Sequence, residues 1–284
     1  MEDPERTARA LWALIEPVHA VTYFAPQARS AFEAAGLRGF WRGYFAGRAA
    51  PLGAVGPGPV TAAFFGFAPA MVARAVPDVW TRAAPGRVLR ARQDGAEAAL
   101  ARLLAGHEPL VEEAAALLTP VAGELDCAGR VLAAANQDLP PPRSAAGRLW
   151  HAATVLREHR GDGHVAAWVA AGLDGCETLV LRSGIDLPRT ALQPNRGWSD
   201  HQWQAARDRL VARGRLASDG TATPAGRRIH RRVEEATDRA AARPWQTLDP
   251  AAADRLHRLL APLARACAAA LPFPNPIGLP RPAG

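Results

Sequence analysis

The sequence predicts a mainly α-helical protein, in which a helical N-terminal domain is followed by a second helical domain with a short β-hairpin. Alanine is abundant, and apolar residues recur at spacings of three and four, the period of an amphipathic helix. Asp219-Gly220 stands between two short segments and is typical of a tight hairpin turn. Because 49% of the 284 residues are hydrophobic and 21% are charged, the composition excludes wholesale disorder.

A proline-rich segment divides the chain into two predicted domains. Residues 138–145 include three successive prolines, which cannot continue a helix. We therefore expect a helical domain over 1–137, suited to sensing a ligand, and a second domain over 146–270. The tail over 271–284 is rich in proline and glycine, and we expect it to be flexible.

The second domain begins with three predicted helices. The first covers 146–159 and ends at a turn made by the residues 160–163, which include two glycines. Within this turn, Asp162 is expected to cap a helix that continues to about Ala171. A further helix is predicted over 175–182.

The remaining elements of the second domain have clear boundary signals. Ser199 and Gly214 are the expected N-cap and C-terminal glycine of a helix over 200–212. The hairpin at Asp219-Gly220 follows, and Thr223-Pro224 opens a long Arg-rich helix. The predicted order is therefore helices, then a hairpin, then a helix.

This order resembles a winged helix of the MarR type, in which the wing leads into Leu-Thr-x-x-Gly. The matching residues here are Ala222-Thr223-Pro224-Ala225-Gly226. The whole chain is also similar to an actinobacterial family of about this length that contains a helix-turn-helix. Four segments carry that similarity: Glu16–His19, Tyr44–Gly53, Leu156–His164 and Arg196–Ser199. The resemblance implies a winged-helix domain with a short β-hairpin wing, and DNA binding by analogy.

The charge distribution indicates where an anionic partner would bind. The chain has a net charge of +7, and all 34 of its basic residues are arginine. Residues 196–243 hold eleven arginines against six acidic residues, which makes this the most basic compact stretch. Arginine binds phosphate in a bidentate manner, but a solvated, salt-bridged surface would have the same composition.

We expect DNA contacts from polar residues on the outer face of helix 200–212 and at the start of the helix that follows the hairpin. Trp203, Ala206 and Leu210 share one stripe that should face the core. Asp208 lies on the outer face, where phosphate would repel it. The predicted DNA-binding residues are Ser199, His201, Gln202, Arg209, Arg213, Arg227 and Arg228.

A second set of polar residues predicts a ligand pocket. Helical spacing puts Glu16, His19 and Tyr23 on one face of the first helix, beside Trp12. Three interpretations stay open: a buried hydrogen-bonded pair, a ligand pocket anchored by Glu16 and His19, or half of a metal site. No second Glu-x-x-His motif completes such a site, so we predict no metal ligand.

Arg48 lies within an apolar segment and therefore needs an acidic partner, an anionic ligand or a route to solvent. Glu16 is the expected partner. The cluster from Arg157 to His164 can contact a ligand held between the two halves, or it can form a capped turn. The predicted ligand-binding residues are Glu16, His19, Tyr23, Tyr44, Arg48, Arg157, His159 and His164.

Motifs for nucleotide binding, serine hydrolysis and zinc proteolysis are missing from the sequence, so no catalytic residue is predicted and no cofactor is named. The leading hypothesis is a DNA-binding transcriptional regulator with a ligand-sensing helical domain, and a homodimer is compatible with it. The alternatives are a small-molecule-binding protein or enzyme, with a pocket around Glu16, His19, Arg48 and His164, and a protein-interaction adaptor. Widely spaced cysteines and a Pro-broken apolar run predict a cytoplasmic protein without membrane contact.

Overall fold

The computed structural model describes residues 3–246 and 248–272. Regular structure in these ranges consists of α-helices and one 3-10 turn at Ala50–Leu52. The helices before the Pro-rich segment are α1 (Pro4–Phe24), α2 (Pro26–Ala34), α3 (Phe40–Ala49), α4 (Pro57–Phe64), α5 (Pro69–Ala73), α6 (Asp78–Arg82), α7 (Pro85–Leu103), α8 (Glu108–Gly123) and α9 (Val131–Gln137). Those after it are α10 (Ala145–Ala170), α11 (Gly175–Ser183), α12 (Arg189–Arg196), α13 (Asp200–Ala212), α14 (Pro224–Gln246) and α15 (Pro250–Ala268).

The prediction of a winged helix with a β-hairpin wing is wrong, because the described residues form no β-strand and the fold is helical throughout them. The chain does turn at Gly220, with φ at +92°, but only one antiparallel bridge forms, between Leu216 and Ala222. Pro224 already begins α14, so the returning segment is too short for a ladder. The amide of Ala222 donates instead to the carbonyl of Gly184, at 3.0 Å.

The predicted turn at 160–163 is also wrong. These residues lie inside α10, which runs without interruption over 26 residues. Asp162 caps a different helix, since its Oδ2 accepts from the amides of Leu132 and Ala133 at the start of α9, at 2.9 and 3.0 Å. Gly163 permits close packing at this point, because a Cβ there would meet the Arg130 guanidinium.

The main hydrophobic core is built around α10, which packs on α1, α8, α9 and α14. Leucines such as Leu11, Leu118, Leu149 and Leu260 are fully buried in it. This core includes residues from both sides of segment 138–145, and the division into domains there stays a prediction. The flexible tail predicted for 271–284 lies outside the described residues beyond Pro272.

An aromatic cluster forms a second core around α3. It includes Tyr44, Phe45, Phe64 and Phe67, with ring centroids 5.1 to 6.3 Å apart. The cluster ends at the segment where α11 and the loop before α13 dock. There the indole of Trp198 donates to the Gly66 carbonyl at 3.0 Å, and the backbone of Gly175 contacts Phe65.

We expect Gly175→Ala to destabilise the fold by about 1–3 kcal/mol, the usual cost of overpacking. A Cβ at this position would collide with the Phe65 carbonyl, and backbone cannot move aside as a flexible side chain can. Urea unfolding measures the loss. Gly123→Ala is the matched control, since its Cβ would enter open space. Equal stabilities for the two variants would contradict the close docking of α11.

Candidate nucleic-acid interface and buried polar network

Three short helices, α11, α12 and α13, pack around a small core of their own. On α13, Trp203, Ala206 and Leu210 are buried, which confirms the stripe predicted from helical spacing. Ser199 and Gln202 form the capping box of α13, so both side chains are occupied by backbone groups. The face of α13 opposite this buried stripe is exposed to solvent, and it includes His201.

Two of the predicted DNA-binding residues on this face are engaged by carboxylates. Arg209 donates to Glu177 at 2.6 Å and to Asp174 at 2.7 Å, and Arg213 forms an ion pair with the same Glu177. Glu177 is buried and forms the capping box of α11 together with Asp174. Burial alone would raise the pKa of the Glu177 carboxyl, but its interactions with Arg209 and Arg213 outweigh burial and hold the pKa below its ordinary value. The sequence contained a signal for this arrangement, since Asp174 and Glu177 have the spacing of a capping box.

The exposed arginines at the start of α14 have no such partners. Arg227, Arg228, Arg231 and Arg232, here called the arginine face, are exposed, and none forms an ion pair with another described residue. Spacings of one, four and five residues put them on one side of the helix. Glu235 lies four residues after Arg231, but the described residues show no ion pair between them. The arginine face is therefore twice as large as the predicted pair of Arg227 and Arg228.

The predicted ligand-binding residues of the first half meet in a buried ion network. Arg48 donates to both oxygens of Glu158, each at 3.0 Å, and Arg157 bridges Glu158 and Glu16 at 2.9 and 3.2 Å. The expected Arg48–Glu16 pair is thus replaced by two pairs that reach α10. Burial alone would raise the pKa of the Glu158 carboxyl, but Arg157 and Arg48 hold it well below its ordinary value.

His19 lies beside this central network as a neutral imidazole. The Thr154 hydroxyl donates to the Trp150 carbonyl, so His19 Nδ1 must donate to Thr154 Oγ1, at 3.0 Å. Its Nε2 then accepts from the Tyr23 hydroxyl at 2.9 Å. Burial, and next to it the Arg157 charge, lowers the pKa of His19 well below its ordinary value. The face of the first helix predicted from spacing forms two separate hydrogen-bonded pairs, Trp12 with Glu16 and His19 with Tyr23, and the described residues show no hydrogen bond between Glu16 and His19.

The space left between these side chains is small. A cavity of about 10 Å³ lies among His19, Tyr44 and Arg48. Two buried polar atoms at its wall, Thr22 Oγ1 and Arg92 Nε, have no partner among the described residues. Such a volume is at the lower limit for a single water molecule. The ligand-binding role of these residues stays a prediction.

His164 does not join this set, because it lies in a second cluster that ties α1 and α10 to α14. Its Nδ1 donates to Thr237 Oγ1 at 2.9 Å, since that hydroxyl already donates to the Val233 carbonyl. Its Nε2 accepts from the indole of Trp168 at 2.9 Å. Burial lowers the pKa of His164 to about 4, and Glu234 opposes that shift only in part.

Trp12 connects the two clusters. Its indole nitrogen donates to Glu16 at 2.9 Å, and the guanidinium of Arg160 lies over its ring at 4.6 Å. Arg160 in turn donates to Asp238 on α14 at 3.0 Å, and Arg9 donates to the other oxygen of that carboxylate. One continuous polar network therefore runs from α3 through α1 and α10 to α14.

We expect the free energy of unfolding to fall as the pH drops from about 6.5 to 4. Burial lowers the pKa of both His159 and His164 to about 4 and that of His19 well below its ordinary value, so in this window the unfolded chain binds imidazole protons that the folded chain excludes. Burial also raises the pKa of Asp162 to about 6, which opposes this trend, but the three histidines outweigh the single carboxyl. A fully buried histidine contributes about 1.4 kcal/mol per pH unit. His164 is 35% exposed and contributes less because solvent screens it.

Thermal unfolding between pH 7 and pH 4.5 measures this dependence. His164→Gln should flatten the slope, whereas His257→Gln, at an exposed position of α15, should leave it unchanged. A stability that rises on acidification would contradict the neutral, hydrogen-bonded state of these histidines.

His159 lies apart from both clusters. Its carbonyl accepts from Arg130 at 2.5 Å, and its side chain faces a cavity of about 510 Å³ between α8 and the end of α14. No group of three or more metal-ligating side chains occurs among the described residues. In the same part of the chain, every helix is too short or too polar to cross a membrane.

Comparison with known proteins places the chain in a family. A family model described as a helix-turn-helix family matches residues 8–274, which is most of the chain. No curated protein and no solved structure matches it. The match covers both the polar network of α1 and α10 and the α11–α13 segment, so the protein belongs to this helix-turn-helix family.

Proposed function

We propose that the protein is a transcriptional regulator that binds double-stranded DNA through α13 and the arginine face of α14. The observation that carries this proposal is the group of four exposed arginines at the start of α14, which have no ion-pair partner among the described residues, in a chain of a helix-turn-helix family. Unpaired guanidinium groups on one helix side suit the phosphate backbone, because they release counterions when they bind it.

The chemistry of α13 indicates what kind of binding this would be. Its exposed face offers His201 and Gln204 as hydrogen-bonding groups, and Gln204 already donates to Asp208 at 2.8 Å. Arg209 and Arg213 are held by Glu177. With few free groups for base edges, we expect phosphate contacts to supply most of the affinity and a modest preference for sequence.

Ligand sensing by the first half is the second part of the proposal. It is supported by the polar network, which gives a physical connection from Arg48 on α3 to Asp238 on α14. Within this network Trp12 joins two ion-pair clusters, by its hydrogen bond to Glu16 and by the contact of its ring with Arg160, and α14 carries the arginine face. The homodimer compatible with the sequence stays a prediction, and light scattering of the DNA complex gives its stoichiometry.

Fluorescence anisotropy of a labelled 30-base-pair duplex of mixed sequence tests DNA binding. We expect saturable binding with a Kd on the order of 10⁻⁶ M or lower at low salt, the range of phosphate-dominated complexes. A variant with Arg90, Arg102, Arg258 and Arg265 changed to alanine is the control, since these arginines are exposed on α7 and α15. Its affinity should fall by less than about tenfold. An unchanged anisotropy at about 10⁻⁴ M protein would contradict the proposal.

A further inference from the structure

The cavity beside His159 has the dimensions of a small-molecule site. Its volume of about 510 Å³ falls in the range of about 300–1,000 Å³ that such sites occupy. The second half of α8 forms one wall, and the end of α14 forms the opposite wall. Ligand sites in helical proteins commonly lie between helices in this way.

The walls of this cavity are mostly apolar. Leu117, Val121 and Leu125 line it from the side of α8, and all three also pack on the main core. Pro244 and Leu248 close the opposite side. Aliphatic side chains that are half-buried in this way leave apolar surface in contact with water, and a ligand with an apolar body would cover it.

The polar groups of the cavity are fewer and carry a net negative charge. Arg243 forms an ion pair with Asp126 at 2.7 Å, which leaves Glu124 without an ion-pair partner among the described residues. His159 is neutral near pH 7, because burial, and next to it the Arg130 charge, lowers its pKa to about 4. Burial lowers the pKa of Arg130, and the nearby Asp162 carboxylate opposes that shift.

The backbone adds to this negative potential. Glu124 follows the last residue of α8, and its amide closes the final turn by donating to the Pro120 carbonyl at 3.0 Å. The carboxyl end of a helix carries a partial negative charge, so it attracts cations. The helix end and the Glu124 carboxylate thus act at the same rim of the cavity.

We infer that this cavity binds a lipophilic organic monocation, with its apolar body against α8 and its positive charge at Glu124. The inference goes beyond DNA binding, and its experiment does not depend on DNA. An anion of the same shape would be repelled at the same rim. The size of the cavity alone does not distinguish a cation from an anion, so the experiment must compare two ligands that differ only in the sign of their charge.

Isothermal titration calorimetry with tetraphenylphosphonium and tetraphenylborate makes that separation, because the two ions share one shape and differ in sign. Ala116 is exposed on α8 and lines the cavity, so the indole of Ala116→Trp would fill it. Binding to the cavity is therefore measured as the part of the binding that this substitution removes. Ala101→Trp, at an exposed position of α7, is the control for an added indole. We expect cavity binding of the cation to exceed that of the anion at least tenfold.

Glu124→Gln should weaken the cation about threefold to fivefold, as expected for a partly exposed charge pair. Glu235→Gln removes the same charge from the outer side of α14 and should change nothing. Circular dichroism verifies that each variant is folded. Cavity binding of the anion equal to that of the cation, or cation binding that survives Ala116→Trp, would overturn the inference.

Discussion

Replacing Glu158 by glutamine is expected to lower the free energy of unfolding by about 3–5 kcal/mol, the usual cost of breaking a buried ion pair from one side. The Glu158 side chain is 2% exposed and accepts from both Arg48 and Arg157. The neutral amide would leave two buried guanidinium groups opposite a single carboxylate, Glu16. Urea unfolding followed by circular dichroism measures the loss.

Two further variants separate the ion network from simple packing. Glu235→Gln removes an exposed carboxylate of α14 and should cost less than about 0.5 kcal/mol. Arg48→Met combined with Glu158→Leu removes one cation and one anion together, so it should be less harmful than Glu158→Gln alone. A loss below about 1 kcal/mol for Glu158→Gln would show that Glu158 does not hold the network together.

Changing all four residues of the arginine face to alanine is expected to lower DNA affinity by about 10³- to 10⁴-fold near 0.1 M salt. Each phosphate contact accounts for about 0.9 decade of affinity under these conditions, and four contacts are removed. The four side chains are exposed and have no ion-pair partner in the part of the chain that the structure describes, so the fold should not lose stability. Anisotropy titrations with the same mixed-sequence duplex give the ratio of the two Kd values.

The variant of Arg90, Arg102, Arg258 and Arg265 carries the same loss of four positive charges and separates net charge from location. It should lose less than about tenfold, because exposed charges beyond a Debye length of about 10 Å are largely screened. Equal losses for both quadruple variants would mean that DNA responds to the net charge of +7 rather than to the arginine face.

Local signals in the sequence were sufficient to predict α13. Ser199 caps α13 and Leu210 is buried, because capping and helical spacing act within a few residues. The tight turn at Gly220 was also predictable. The wing was not, since the turn signal at Asp219-Gly220 says nothing about whether the flanking segments are long enough to form a strand ladder.

Pairing across long sequence separations could not be predicted from local patterns. Arg48 needs a buried carboxylate, and both Glu16 and Glu158 satisfy that need chemically. The selection of Glu158, 110 positions away, depends on how α3 packs against α10. For the same reason the sequence placed His164 in one pocket with His19, whereas Thr237 and Trp168 hold it beside α14.

The salt dependence of DNA binding is the most direct test of the arginine face. The slope of log K against log salt concentration should become shallower by about 3.6 when Arg227, Arg228, Arg231 and Arg232 are changed to alanine, since each lost phosphate contact removes about 0.9 from it. The control quadruple variant should keep the parent slope. An arginine-face variant whose slope equals that of the parent would contradict the assignment of DNA binding to α14.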